Sequence, residues 1–113
     1  MRFSAKAFAS LLLAGALVSS AGAQTTKRIS IMIMSDTPQL VEVKDGLLKG
    51  LKDLGYEDGK NLKVDFKSAQ ANFGTAQQIA RQFVGDRPDV IVPITTPVSQ
   101  AVIGTAKETL LAP

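Results

Sequence analysis

Residues 29–38 read Ile-Ser-Ile-Met-Ile-Met-Ser-Asp-Thr-Pro, and this stretch decides the fold that the sequence predicts. Its first six residues are largely apolar and contain no Gly or Pro, as is typical of a strand buried on both faces. Three small polar residues follow. Pro38 then stands where a helix can begin, because the first turn of a helix does not need the missing N–H. The stretch predicts a buried strand, a polar loop and a helix, in that order.

The same pattern recurs twice further along the chain. Residues 62–67 alternate apolar and charged side chains, as is typical of a half-exposed strand at the edge of a sheet. Residues 89–94 are again mostly apolar and predict another buried strand. Apolar residues at spacings of three and four predict helices over about 38–54, 75–84 and 97–109.

Strand and helix thus alternate three times, which predicts an α/β fold with a parallel, doubly wound sheet. The half-exposed second strand belongs at the edge of such a sheet. The predicted strand order is therefore 2-1-3.

Each predicted strand ends in a cluster of small polar residues. Because the carboxyl ends of parallel strands meet at one edge of a sheet, the three clusters should lie together there. That edge is where open α/β sheets bind ligands, so we expect a small-molecule site. The candidate ligand-binding residues are Ser35, Asp36, Gln70, Asn72, Thr95, Thr96 and Ser99.

The segment 95–99, Thr-Thr-Pro-Val-Ser, is the strongest candidate. A helix that starts directly after a strand presents free backbone N–H groups and the positive end of its dipole, which suits a carboxylate or another anion. The hydroxyls of Thr95, Thr96 and Ser99 can add hydrogen bonds. Alternatively, Thr96 caps the helix and Pro97 takes its first position, and the two roles can coexist.

The polar residues after the first two strands also have two explanations each. Asp36 can pair with the ammonium group of a ligand, or it can cap the helix that begins at Pro38. Gln70 and Asn72 can hold polar ligand groups through their amides, and Asn72 is equally suited to a turn or a helix cap. The sequence leaves these explanations open.

Catalytic and cofactor-binding patterns are missing from the sequence. The chain has no Cys and no His, so it lacks a thiol nucleophile, the usual general base and the commonest metal ligand. A catalytic triad has no His on which to be built. No Gly-x-Gly-x-x-Gly follows the first strand, which disfavours a dinucleotide-binding fold. We expect a protein that is not an enzyme and that binds neither cofactor nor metal.

The first 23 residues have the composition of a secretory signal peptide. Arg2 and Lys6 form a short positive segment, an apolar stretch follows over 7–18, and Ala21 and Ala23 fit the small-x-small cleavage pattern. The apolar stretch is shorter than the about 20 residues that span a bilayer. We expect cleavage after Ala23 and export; the alternative is an amphipathic or buried N-terminal helix.

The charge of the exported chain gives no sign of nucleic-acid binding. The whole chain has 13 Lys and Arg and 10 Asp and Glu, and two of the basic residues, Arg2 and Lys6, belong to the predicted signal peptide. The mature chain is then left with a net charge of +1 and without a basic stripe. We therefore expect no nucleic-acid partner.

Five groups of short motifs, in a fixed order, resemble a known bacterial family. The groups are Val-Lys-Asp-Gly-Leu-Leu-Lys-Gly-Leu at 43–51, Leu-Gly-Tyr at 54–56 with Gly-Lys-Asn at 59–61, Ala-Gln-Ala-Asn at 69–72, Arg-Pro-Asp-Val-Ile-Val at 87–92, and Thr-Thr-Pro at 95–97 with Gln-Ala at 100–101. Over about residues 28–107, the chain is similar to ABC transporter substrate-binding proteins of the type that includes tryptophan- and tyrosine-binding members.

The resemblance implies a secreted receptor with two lobes and a type I periplasmic-binding fold. Such a receptor closes around a small solute, such as an amino acid, in the periplasm and delivers it to a permease and an ATPase in the membrane. The ligand lies between the lobes, against the strand-end loops that carry the seven candidate residues here. Family members are much longer than this chain, so the resemblance implies that residues 24–113 are an incomplete N-terminal lobe.

Two other functional classes remain open from the sequence. A secreted α/β enzyme or ligand-sensing domain would use the same edge of the sheet. A non-functional product, shortened by truncation, a frameshift or a partial gene record, would fold poorly because the far edge of its sheet has lost its neighbouring strands.

Overall fold

The stretch that begins at Ile29 lies in the central strand of a three-stranded parallel sheet. A computed structural model of the chain describes residues 25–111. The predicted signal peptide, residues 1–23, and its cleavage point lie outside the described residues. The elements are β1 (Lys27–Ile33), α1 (Pro38–Asp53), β2 (Leu62–Ser68), α2 (Phe73–Asp86), β3 (Val90–Ile94) and α3 (Thr96–Leu111).

The strand order of the sheet is β2-β1-β3, and both pairs of strands are parallel. The predicted α/β fold of order 2-1-3 is therefore confirmed. In the register of the sheet, Ile31 of β1 stands beside Phe66 of β2 and Val92 of β3. Because β1 has a strand on each side and helices on both faces, Ile31, Met32 and Ile33 are fully buried.

Each face of the sheet carries its own core. Helices α2 and α3 pack together on one face, where Met32 of β1, Phe83 of α2 and Val98 of α3 are fully buried. Helix α1 covers the other face and packs its half-buried leucines against Ile29 and Leu62. Burying a large apolar side chain contributes about 1.5–3 kcal/mol, so β1, which is buried from both faces, is the most strongly held strand.

Helix α1 begins and ends where the sequence predicts. Its first residue is Pro38, and the hydroxyl of Thr37 accepts a hydrogen bond from the N–H of Leu40 at 3.4 Å. Gly55 follows the helix with a φ of 96°, in the left-handed region that glycine adopts without steric cost. Its N–H donates to the carbonyl of Lys52 at 3.0 Å.

Strand β3 is less buried than its apolar sequence predicts. Val90 is 52% exposed, and the other four residues of the strand are half-buried. Within residues 25–111, β3 pairs with β1 alone, so one edge of it has no neighbouring strand. The prediction of a buried strand over 89–94 is wrong for this part of the chain, because apolar residues do not reveal how many neighbours a strand has. Val43 and Leu54, two apolar residues of the helix predicted over 38–54, are exposed as well.

Arg28 links the end of α2 to the beginnings of β1 and β3. Its guanidinium donates to the carbonyls of Asp86 and Arg87, the latter at 2.7 Å, where carbonyls at the end of a helix lack intrahelical partners. The backbone N–H of Arg28 donates to a carboxylate oxygen of Asp89 at 2.7 Å. The N–H of Asp89 donates back to the carbonyl of Arg28 at 2.9 Å. These bonds fix the register of β3 against β1. The register in turn sets the position of the carboxyl end of β3 relative to that of β1.

Candidate functional site

The loops that follow β1 and β2 are joined by backbone hydrogen bonds beyond the end of the sheet. The N–H of Ala69 donates to the carbonyl of Ile33 at 2.9 Å, and the N–H of Ala71 donates to the carbonyl of Met34 at 2.7 Å. Gln70 and Ala71 have φ values of 55° and 58°, so the chain turns sharply there. The parallel ladder thus continues into the loops and holds the first two polar clusters side by side, as predicted.

Asp36 and Gln70, which are 34 positions apart in the sequence, are in direct contact. The side-chain amide of Gln70 donates from Nε2 to Oδ2 of Asp36 at 2.9 Å, and both residues are exposed. Asp36 does not cap α1, because Thr37 does. The carboxylate therefore stands at the carboxyl edge of the sheet, oriented by Gln70 through one oxygen. Its second oxygen can accept hydrogen bonds from a ligand.

Asn72 caps α2. Its side-chain oxygen accepts a hydrogen bond from the N–H of Thr75 at 3.0 Å, and its carbonyl accepts one from Ala76 at 3.0 Å. The capping explanation for Asn72 is thus confirmed. The NH₂ of its amide can still donate to a ligand, because capping uses only the oxygen.

Thr95 holds the junction between β3 and α3. Its carbonyl accepts hydrogen bonds from the N–H of Ser99 at 3.1 Å and from the hydroxyl of Ser99 at 2.7 Å. Helix α3 already begins at Thr96, so Thr95 precedes it and Pro97 is its second residue. The explanation that Thr96 caps the helix is wrong by one position. Thr95 has a φ of 96°, which is rare for a β-branched residue.

The start of α3 is suited to an anion. The N–H groups of Thr96 and Val98 belong to the first turn, where a helix has no intrahelical acceptors, and Pro97 has no N–H. The other two helices have side-chain caps, from Thr37 and Asn72. Among the described residues, no side chain accepts a hydrogen bond from the N–H of Thr96 or of Val98. Backbone N–H groups at a helix start bind carboxylates and phosphates.

The candidate site has a carboxylate beyond one strand and the positive end of a helix beyond the next. Asp36 carries a negative charge beyond β1, and the positive end of α3 lies beyond β3, the neighbouring strand. Neighbouring strands are about 4.8 Å apart, so one small molecule can reach from one to the other. Ser35, the remaining candidate, is half-buried directly after β1.

The sequence prediction missed Phe73. This residue is 66% exposed and is the first residue of α2, two positions before the predicted helix start. The missed signal was its spacing of three from Ala76 and of seven from Ala80, which places it on the apolar stripe of α2.

The opposite end of the sheet has a separate hollow of about 280 Å³ beside the beginnings of β1 and β2. Tyr56 lines this hollow, away from the polar clusters. Among residues 25–111, no three His, Cys, Asp or Glu side chains are grouped so that they could hold a metal ion. None of the helices described is long and apolar enough to cross a membrane.

Comparison with known proteins gives consistent matches. The sequence model of a family described as "ABC transporter substrate binding protein" matches residues 28–111. The tyrosine-binding protein of Clostridioides difficile (strain R20291) is 43% identical over 82 residues, which cover 73% of this chain and 24% of that protein.

Two solved structures contain a part with the same fold. A conserved domain protein from Vibrio cholerae is 48% identical with a TM-score of 0.71, covering 72% of this chain and 27% of that one. The ABC domain from Streptococcus pneumonia in complex with L-Trp is 25% identical with a TM-score of 0.68, covering 72% and 27%. The chain thus spans about a quarter of the length of the relatives that it matches.

Proposed function

The chain belongs to the ABC transporter substrate-binding protein family, and we propose that it binds an amino acid at the carboxyl edge of its sheet for import. One observation carries this proposal. The side-chain hydrogen bond between Gln70 and Asp36 orients a carboxylate at the edge where the start of α3 offers unused N–H groups. A negative group and a positive helix end, on neighbouring strands, match the ammonium and carboxylate groups of an amino acid.

Each polar candidate has a role in this proposal. Asp36 pairs with the ligand ammonium, and Gln70 holds Asp36 in position. The N–H groups of Thr96 and Val98 bind the ligand carboxylate, supported by the hydroxyl groups of α3 and of the residue before it. The other candidates, Ser35, Asn72, Thr95 and Ser99, line the same edge.

The carboxyl edge of the sheet is open, and this supports the presence of a second lobe that covers the ligand. A small ligand usually has most of its surface, about 70–90%, buried in its pocket, which three loops at the end of one sheet do not achieve. We place residues 24–113 in one lobe of a two-lobed receptor with a type I periplasmic-binding fold. The opposing lobe closes over the solute in this arrangement.

The transport role follows from the family and from the predicted signal peptide. Residues 1–23 direct export, and the mature protein acts in the periplasm, where it presents its solute to an ABC permease. The function proposed is binding without chemical conversion of the solute.

The proposal is tested by calorimetric titration of the full-length gene product with the common amino acids. Tyrosine and tryptophan come first, because the names of two relatives carry them. We expect saturable binding of at least one amino acid, and a loss of about tenfold or more in affinity for Asp36→Asn, because the negative charge that strengthens the hydrogen bond to the ligand ammonium is removed. Asp53→Asn is the matched control, since Asp53 is an exposed carboxylate at the end of α1. A full-length product that binds no amino acid contradicts the proposal.

A further inference from the structure

Phe73 lies on the apolar stripe of α2 but beyond the sheet that this stripe covers. The stripe continues through Ala76, Ala80 and Phe83, and all three are fully buried. Phe73 is 66% exposed although it is the same type of residue as Phe83 on the same side of the helix. The difference goes with position along the helix, because Phe73 is the first residue of α2 and the three buried residues lie further along it.

Phe73 lies at the end of α2 that is nearest the ligand edge. Side chains of an α-helix lean toward its N-terminus. Helix α2 follows β2 and runs back along the sheet, so its N-terminus lies at the carboxyl edge. The neighbours of Phe73 in sequence are Ala71, Asn72 and Gly74, which are too small to cover an aromatic ring.

Polar residues of the candidate site precede Phe73 and lie at the same edge of the sheet. Asn72 caps the same helix end, and the side chains of Gln70 and Asp36 are hydrogen-bonded to each other at the same edge. Keeping a phenylalanine exposed forgoes about 1.5–3 kcal/mol of burial free energy. Asp36 and the start of α3 fit the charged ends of an amino acid. An apolar ring beside them is positioned to contact the side chain of that amino acid.

We propose that Phe73 contacts the side chain of the bound amino acid and favours aromatic solutes over small ones. This inference rests on the function proposed above. The contact is apolar, and rings stack offset or edge to face, an arrangement that adds to the burial of apolar area. Asp36 and the start of α3 hold the part that all amino acids share, whereas Phe73 contacts the part that differs.

The test compares the affinities of tyrosine, tryptophan and alanine for the full-length gene product and its Phe73→Ala variant. We expect the variant to lose roughly tenfold in affinity for the two aromatic solutes and at most about twofold for alanine, because alanine is too small to reach the ring. Phe73→Tyr keeps the ring and should restore the aromatic preference. Leu54→Ala, which removes an exposed apolar side chain just after the end of α1, should change neither affinity.

The outcomes separate this inference from the proposed function. If the wild type binds amino acids and Phe73→Ala leaves the ratio of aromatic to alanine affinity unchanged, Phe73 does not contact the ligand side chain. An equal loss for all three solutes would instead show that the ring packs against another part of the protein during closure, and would overturn the inference. A wild type without amino-acid binding contradicts the proposed function itself.

Discussion

Thr95 has a backbone conformation that costs free energy. Its φ of 96° brings the β-branched side chain close to the backbone, and residues in such regions cost about 1–3 kcal/mol. The bonds from Ser99 to its carbonyl and the start of α3 hold it there. The strain lies at the junction that presents the N–H groups of α3 to the candidate site.

Thr95→Gly should therefore stabilise the fold. Glycine adopts positive φ without steric cost, so we expect the free energy of unfolding of the full-length product to rise by about 0.5–1 kcal/mol. Urea titration followed by circular dichroism measures this change. Thr96→Gly is the matched control, because Thr96 is the first residue of α3 and has no positive φ to relieve, so glycine should destabilise there by about 0.3 kcal/mol. Equal losses for both variants would show that Thr95 is not strained.

The hydrogen bond between Gln70 and Asp36 should appear as coupling in ligand binding. Gln70→Ala and Asp36→Ala, made singly and together, form a double-mutant cycle on amino-acid affinity. If Gln70 acts by orienting the carboxylate, removing it matters only while Asp36 is present, and we expect a coupling free energy of about 1 kcal/mol. Additive losses would mean that Gln70 binds the ligand by itself.

At the scale of the elements, α2 is held at both ends by polar side chains. Asn72 caps its start, and Arg28 binds the carbonyls at its end. Asn72→Ala should lower the free energy of unfolding by about 1 kcal/mol, whereas Asn72→Ser keeps a capping oxygen and should retain most of the stability. If the amide of Asn72 also contacts the ligand, Asn72→Ser keeps the stability but lowers the affinity, so urea titration and calorimetry together separate the two roles.

The other end of α2 gives a matched pair of arginines. Arg28→Ala removes the bonds to the carbonyls of Asp86 and Arg87, and we expect a loss of about 1 kcal/mol in the free energy of unfolding. Arg81→Ala, an exposed arginine in the middle of α2, should change it by less than about 0.5 kcal/mol. Similar effects of the two substitutions in urea titration would contradict a specific role for Arg28.

The elements were predictable to different degrees, for physical reasons. Spacing of apolar residues identified β1, α1 and the order of the strands, because burial imposes that spacing locally. Phe73 was missed because the predicted helix began at Thr75. The helix begins two residues earlier because Asn72 is its N-cap. The contact between Gln70 and Asp36 joins residues that are 34 positions apart, which no local pattern contains.

At the scale of the whole molecule, the backbone amides of the sheet should be protected from hydrogen exchange to different degrees. β1 has a strand on each side, whereas β3 has one neighbour within residues 25–111. The N–H of Asp89 points toward β1. Since successive residues of a strand direct their N–H groups to opposite sides, those of Val90, Val92 and Ile94 point to the free edge.

Hydrogen exchange on the 113-residue chain measures this difference. We expect the amides of Ile31 and Ile33 to exchange slowest, because opening them requires the loss of the whole core. The amides of Val92 and Ile94 should exchange much faster, although these side chains are half-buried in the same sheet. Fast exchange throughout β1 would show that the chain does not keep its fold in solution. Slow exchange of Val92 would show that something covers the outer edge of β3, such as a second copy of the chain, and the concentration dependence of its rate would reveal that copy.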